Sequence, residues 1–90
     1  MLNGSEPAAA VEDQLTRIWR AVLHDDSLGR DSSYLDYGGT SLTALRLRAQ
    51  IRETFGRDLE VIDIFEHPSP AAVCEVVRTA PVWHDDLDDE

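Results

Sequence analysis

Val11-Glu12-Asp13-Gln14-Leu15-Thr16-Arg17-Ile18-Trp19-Arg20-Ala21-Val22-Leu23 carries the periodicity on which the fold turns. Its apolar residues Val11, Leu15, Ile18, Trp19, Val22 and Leu23 follow one another in steps of four, three, one, three and one. Those are the steps of an amphipathic helix with a single apolar stripe. Glu12, Asp13, Arg17 and Arg20 fall off the stripe, on the side left to water. The spacing predicts a helix over Ala8–Leu23, with Trp19 in the core.

Downstream, His24 to Thr40 breaks the pattern with Asp25, Asp26, Ser27, Gly29, Asp31, Ser32, Ser33, Asp36, Gly38 and Gly39, which form turns and caps. Leu28, Tyr34, Leu35 and Tyr37 are embedded in this long loop and are expected to pin it to the helices. A connection of this length in a compact domain is usually either functional or disordered, and the four large apolar anchors favour the functional reading. Periodicity resumes at Ser41: Ala44, Leu47, Ile51 and Phe55 share one face, Leu42, Leu45 and Ala49 a neighbouring strip, and Gly56 suits the C-cap. Leu59, Val61, Ile62, Ile64 and Phe65 fit one or two helical turns. Ser69-Pro70 then reads as an N-cap followed by proline at the first position of a last helix, whose inner face is Val73, Val76 and Val77. No segment alternates like a strand. The expected fold is all-α, three main helices and one short one, with a long loop between the first two.

Ninety residues make one domain with one core, too small for a deep substrate pocket. The formal net charge is −10, and all eight basic residues are arginine. Such a surface repels phosphate backbones and anionic lipid, so neither nucleic acid nor a membrane is expected as a partner. Basic patches on larger proteins are. Cys74 is the sole cysteine, so no intramolecular disulfide forms. No signal segment or membrane span is legible, and the expected compartment is the cytoplasm. Residues 1–7 read as a flexible lead-in, 8–79 as the domain, and 80–90 as an acidic tail expected to be disordered, with Trp83 folded back or loose.

The chemistry centres on Tyr34-Leu35-Asp36-Tyr37-Gly38-Gly39-Thr40-Ser41-Leu42. It places a small hydroxyl in the first turn of a helix, behind two residues without side chains. Free N–H groups and the positive end of the dipole favour a phosphate there. By itself Gly-Gly-x-Ser is a weak signal, most often a capped helix with no chemistry.

The order of helix, long loop, Gly38-Gly39-Thr40-Ser41-Leu42, second helix and then Phe65-Glu66-His67-Pro68-Ser69-Pro70 resembles the carrier (thiolation) domain of nonribosomal peptide synthetases, within the wider acyl-carrier-like group. Tyr34, Leu35 and Tyr37 stand where that family usually has two aromatics and a leucine. The resemblance runs from about Val11 to Val77 and implies an acyl-carrier-like four-helix bundle. It implies that a phosphopantetheinyl transferase attaches 4'-phosphopantetheine from coenzyme A to Ser41, with Gly39 and Thr40 beside the site. The arm's thiol would then carry aminoacyl or peptidyl groups as thioesters between adenylation, condensation or tailoring enzymes. The chain itself would be a non-catalytic monomer. By the same resemblance Leu42 and Leu45 would contact partners, with Ile62 and Phe65 expected to complete the patch and Arg46 to orient the partner; peripheral core is the plainer reading of the two leucines, and an ordinary solvated or ion-paired side chain that of Arg46. Acyl carriers of polyketide lines more often place Asp directly before the serine, so Gly38-Gly39-Thr40 favours the peptidyl type. Met1 stands close before the first helix, which favours a free-standing carrier.

Three other readings compete. A serine hydrolase would want glycine where Thr43 stands, and a triad from a larger scaffold. His24, His67, His84 and Cys74 match no zinc spacing. An unmodified helical interaction module using Leu42 and Leu45 is the rival from a different class; intact mass after incubation with coenzyme A and a transferase separates it from a carrier.

Overall fold

A computed structural model describes residues 8–83, and its architecture is all-helical with one short turn in the first loop. The predicted lead-in and the acidic stretch 84–90 lie outside the described residues. Helix α1 spans Ala8–Leu23, α2 Ser41–Phe55, α3 Val61–Glu66 and α4 Pro70–Thr79. The predicted helix over Ala8–Leu23 has the observed bounds.

Helices α2, α3 and α4 each start for a local reason, and α2 also stops for one. Thr40 is the N-cap of α2: its Oγ1 accepts from Thr43 N at 3.4 Å, and its carbonyl accepts the first helical bond from Ala44 N at 3.0 Å. Gly56 ends α2 in the left-handed region at φ +69°, where a side chain would be strained. At α3, Asp63 Oδ2 accepts from Glu60 N at 2.9 Å as half of a capping box. Ser69 Oγ accepts from Ala72 N at 3.2 Å, and Pro70 holds the first position of α4.

Helix α1 packs against both α4 and α2, and α3 sits between α2 and α4. Val11, Leu15, Trp19, Ala44, Leu47, Ile51, Ile64, Val73 and Val77 are fully buried where these faces meet. Full burial of a Leu, Ile or Val stabilises by about 1.5–3 kcal/mol over exposure, so this stripe-on-stripe contact is the main source of stability.

Residues 24–40 are ordered by local bonds. Asp25 Oδ1 accepts from Ser27 N and Oγ, at 2.9 and 2.6 Å, and Ser32 Oγ accepts from Gly29 N at 2.9 Å. Tyr34–Tyr37 forms a 3-10 turn capped by Ser33. Of the four expected anchors, Leu28 and Tyr34 are fully buried, whereas Leu35 and Tyr37 are 47% and 43% exposed. The reason is geometric. A turn this short presents one face to the core, Tyr34 fills it, and three residues on, about 6 Å along the turn, Tyr37 is at the surface.

Beyond α4 the chain from Ala80 to Trp83 lies against the loop after α2. Asp58 N donates to Pro81 O at 2.8 Å and Trp83 N to Gly56 O at 2.9 Å, making an isolated antiparallel bridge between Arg57 and Val82. The Arg52 guanidinium lies 4.6 Å from the Trp83 ring centroid. Trp83 is thus folded back, and the body extends past the boundary expected at residue 79.

Candidate functional site

Ser41 is the first residue of α2 and is exposed. Among the described residues its hydroxyl makes no hydrogen bond. The first helical bond belongs to Ala44 N, so the N–H groups of Ser41 and Leu42 precede the ladder and remain available at the positive end of the helix. This arrangement suits a phosphate ester on the Ser41 oxygen: negative charge at that point meets backbone donors and is not desolvated.

The approach to the hydroxyl is shaped by the two glycines in different ways. Gly38 takes φ +79°, a left-handed conformation that other residues rarely adopt, and has open space where a Cβ would be. Gly39 has no positive φ but lies on the Tyr34 side chain. A Cβ there would come 2.0 Å from Tyr34 Cδ1 and 2.6 Å from the Tyr34 carbonyl oxygen. The same carbonyl accepts from Gly39 N at 2.9 Å. Gly39 is therefore required by contact, Gly38 by conformation. Thr40 adds the cap described above, so all three residues before Ser41 contribute to its placement.

Tyr34 is fully buried, its ring tilted 41° to that of Phe65 at a centroid distance of 6.3 Å. Burial raises its pKa above the ordinary tyrosine value, and its hydroxyl has no hydrogen-bond partner among the described residues.

Around Ser41 the predicted docking residues divide. Leu42, Leu45 and Ile62 are 58%, 47% and 55% exposed, unusually open for such large apolar side chains. Arg46 is exposed and without an ion pair among the described residues, whereas Arg48 bonds to the Leu59 carbonyl and Asp58, and Arg52 covers Trp83. Phe65 is placed differently: it is partly buried and packs on the core beside Tyr34. Leu35 and Tyr37 join the exposed apolar set instead. Their signal in the sequence was their position beside Asp36 in a polar, glycine-rich loop.

An open groove of about 360 Å³ runs between α1 and α2, lined by Ala21, Val22, His24, Arg46, Ala49 and Gln50. It does not include Ser41. Among the described residues no group of three His, Cys, Asp or Glu side chains could hold a metal, and no helix is long and apolar enough to cross a membrane.

A family model described as a phosphopantetheine attachment site matches residues 13–77. The chain is 40% identical over 78 residues to AM-toxin synthetase AMT1 of Alternaria alternata, a match covering 84% of this chain and 2% of that protein. It is 36% identical over 80 residues to pyochelin synthetase PchE of Pseudomonas aeruginosa, covering 89% of this chain and 6% of that one. The chain thus spans only a few per cent of the length of these relatives. Among solved structures, it is similar to the peptidyl carrier protein in complex with the phosphopantetheine transferase Sfp and coenzyme A, with a TM-score of 0.74 and 30% identity over 81% of this chain and 95% of that one. A structure described as a nonribosomal PCP domain gives a TM-score of 0.70 and 29% identity, covering 88% and 97%.

Proposed function

The chain belongs to the phosphopantetheine-attachment family of carrier domains, and from that premise we propose that Ser41 receives the arm and that the domain serves nonribosomal peptide assembly. The carrying observation is the exposed, unbonded Ser41 hydroxyl at the first position of α2, beside backbone donors that precede the helical ladder.

The chain's own residues then have distinct tasks. Ser41 supplies the oxygen that bonds to the pantetheine-side phosphorus of coenzyme A, its proton leaving to a base of the transferase while the pyrophosphate P–O bond breaks and adenosine 3',5'-bisphosphate departs. Thr40 fixes the start of α2, Gly38 supplies the left-handed turn before it and Gly39 lies against Tyr34, so that together they set where the hydroxyl is presented. Once attached, the arm supplies a terminal thiol that holds acyl groups as thioesters. Leu42, Leu45 and Ile62 offer exposed apolar area of the kind that marks interaction sites, and Arg46 offers an unpaired charge beside it. The partners proposed for this surface are a phosphopantetheinyl transferase, an adenylation enzyme, and condensation or tailoring enzymes. The domain itself is non-catalytic and is their substrate.

Intact mass after incubation with coenzyme A and a broad-specificity transferase tests the reading. The wild type is expected to gain one arm and Ser41→Ala none. A folded wild type that gains nothing, or a Ser41→Ala variant that still gains the arm, overturns it.

A further inference from the structure

Two donors from distant parts of the chain converge on one carbonyl. The Pro68 oxygen accepts from Trp19 Nε1 at 3.0 Å and from Tyr34 N at 3.0 Å. Pro68 lies in the junction between α3 and α4, Trp19 is in α1, and Tyr34 opens the turn that leads to Ser41. A carbonyl has two lone pairs, and here both are engaged. Tyr34 passes the restraint onward: its carbonyl accepts from Gly39 N at 2.9 Å, and its ring lies within contact distance of Gly39. Thr40 and Ser41 follow directly. A second tether comes from the first turn of α4, where Ala71 N donates to Arg30 O at 2.8 Å. The α3–α4 junction and the start of α4 therefore grip the first loop at Tyr34 and Arg30.

We infer that Trp19 and Pro68 are positioning residues for Ser41. The indole N–H aims the Pro68 carbonyl, that carbonyl holds Tyr34, and Tyr34 sets the height of Gly39 and hence of the α2 N-terminus. A buried tryptophan must satisfy its N–H somewhere. What gives this bond a task is that its acceptor also holds the loop bearing the serine. The Phe65–Pro70 motif thereby acquires a physical role, since Phe65 packs on the Tyr34 ring and Pro68 holds its backbone.

The inference rests on the reading of Ser41 as the attachment point for one of its two readouts only. Trp19→Phe keeps an aromatic ring and removes the N–H donor; Val77→Ala, a buried position in the last turn of α4, controls for lost stability. Amide exchange by NMR needs no arm. Relative to Val77→Ala, and after correction for global stability, Trp19→Phe is expected to speed exchange at Tyr34 and Gly39 by roughly tenfold, with Asp58 and Trp83 unchanged. It is also expected to lower kcat/KM for transferase modification several-fold. If Tyr34 and Gly39 exchange only in step with global stability, the brace does not exist. If they exchange faster while modification keeps its rate, the brace holds the loop but does not position Ser41, and the inference fails. A wild type that takes no arm at all counts against the attachment reading instead, and leaves the exchange result to decide the brace.

Discussion

Replacing Gly39 with alanine would place a Cβ 2.0 Å from Tyr34 Cδ1, 2.5 Å from Cε1 and 2.6 Å from the Tyr34 carbonyl oxygen. Carbon atoms in contact sit about 3.5–4.0 Å apart, so one side must move by about 1.5 Å. The ring cannot easily give way, because Tyr34 is fully buried beside Phe65 and its backbone is held at Pro68. Overpacking of this kind costs about 1–3 kcal/mol, and the overlap with both ring and backbone puts Gly39→Ala near the top of that range. Gly38→Ala is the internal standard. It meets nothing within 4 Å but must hold φ +79°, a cost of about 1–2 kcal/mol. For a domain of this size, about 3 kcal/mol corresponds to a fall in Tm of roughly 12–24 °C. Urea unfolding followed by helical circular dichroism measures both variants. Tyr34→Leu, which removes the opposing ring atoms, should absorb at least about 1 kcal/mol of the Gly39→Ala cost in a double-mutant cycle. A Gly39→Ala variant no less stable than Gly38→Ala, or a cycle that is strictly additive, would refute the reasoning.

Four further outcomes are expected. Tyr34→Phe removes a buried hydroxyl that has no partner among the described residues, so stability should hold or rise by about 1 kcal/mol; a clear loss would mean the hydroxyl is satisfied. Because burial raises the Tyr34 pKa in the folded state, its contribution is full below about pH 10 and is lost as the pH rises beyond that, so wild type should lose stability above pH 10 faster than Tyr34→Phe in parallel chemical unfolding. The Cys74 thiol, also pushed up by burial, is common to both proteins and cancels. Leu45→Asp should leave helical content largely intact at a cost of about 1–2 kcal/mol, since the side chain is 47% exposed, while modification or loading falls about tenfold; unfolding would return Leu45 to the core. Trp83→Ala removes the ring beneath Arg52 and should cost about 0.5–1 kcal/mol, with faster exchange of the Asp58 amide. An unchanged Asp58 rate would show that the segment after α4 is held without the ring.

The helices and their ends were legible because their causes are local. Val11, Leu15, Ile18 and Trp19 define a stripe by spacing alone, and Gly56 and Ser69-Pro70 mark boundaries through backbone conformation and the loss of a donor. The site was legible only in part. Ser41 in a helical first turn follows from its neighbours, yet the separate reasons for Gly38 and Gly39 do not. One is a matter of φ, the other of a ring brought up from five residues earlier. Leu35 and Tyr37 looked like anchors because they are large and apolar; in the 3-10 turn Leu35 lies off the face that Tyr34 buries, and Tyr37 lies a full turn farther along it, so both are at the surface.

By itself, then, the sequence determined four helices, their order, and a serine hydroxyl at the start of the second. Periodicity and capping act within a few residues, so one chain displays them fully. Only the tertiary structure decided that Trp19, 49 residues from Pro68, shares its acceptor with Tyr34, and that Ala80 to Trp83 pairs with the loop after α2. Those contacts exist because helices packed at particular angles bring backbone groups within reach, and nothing in the residue types at positions 19, 34 and 68 states that distance.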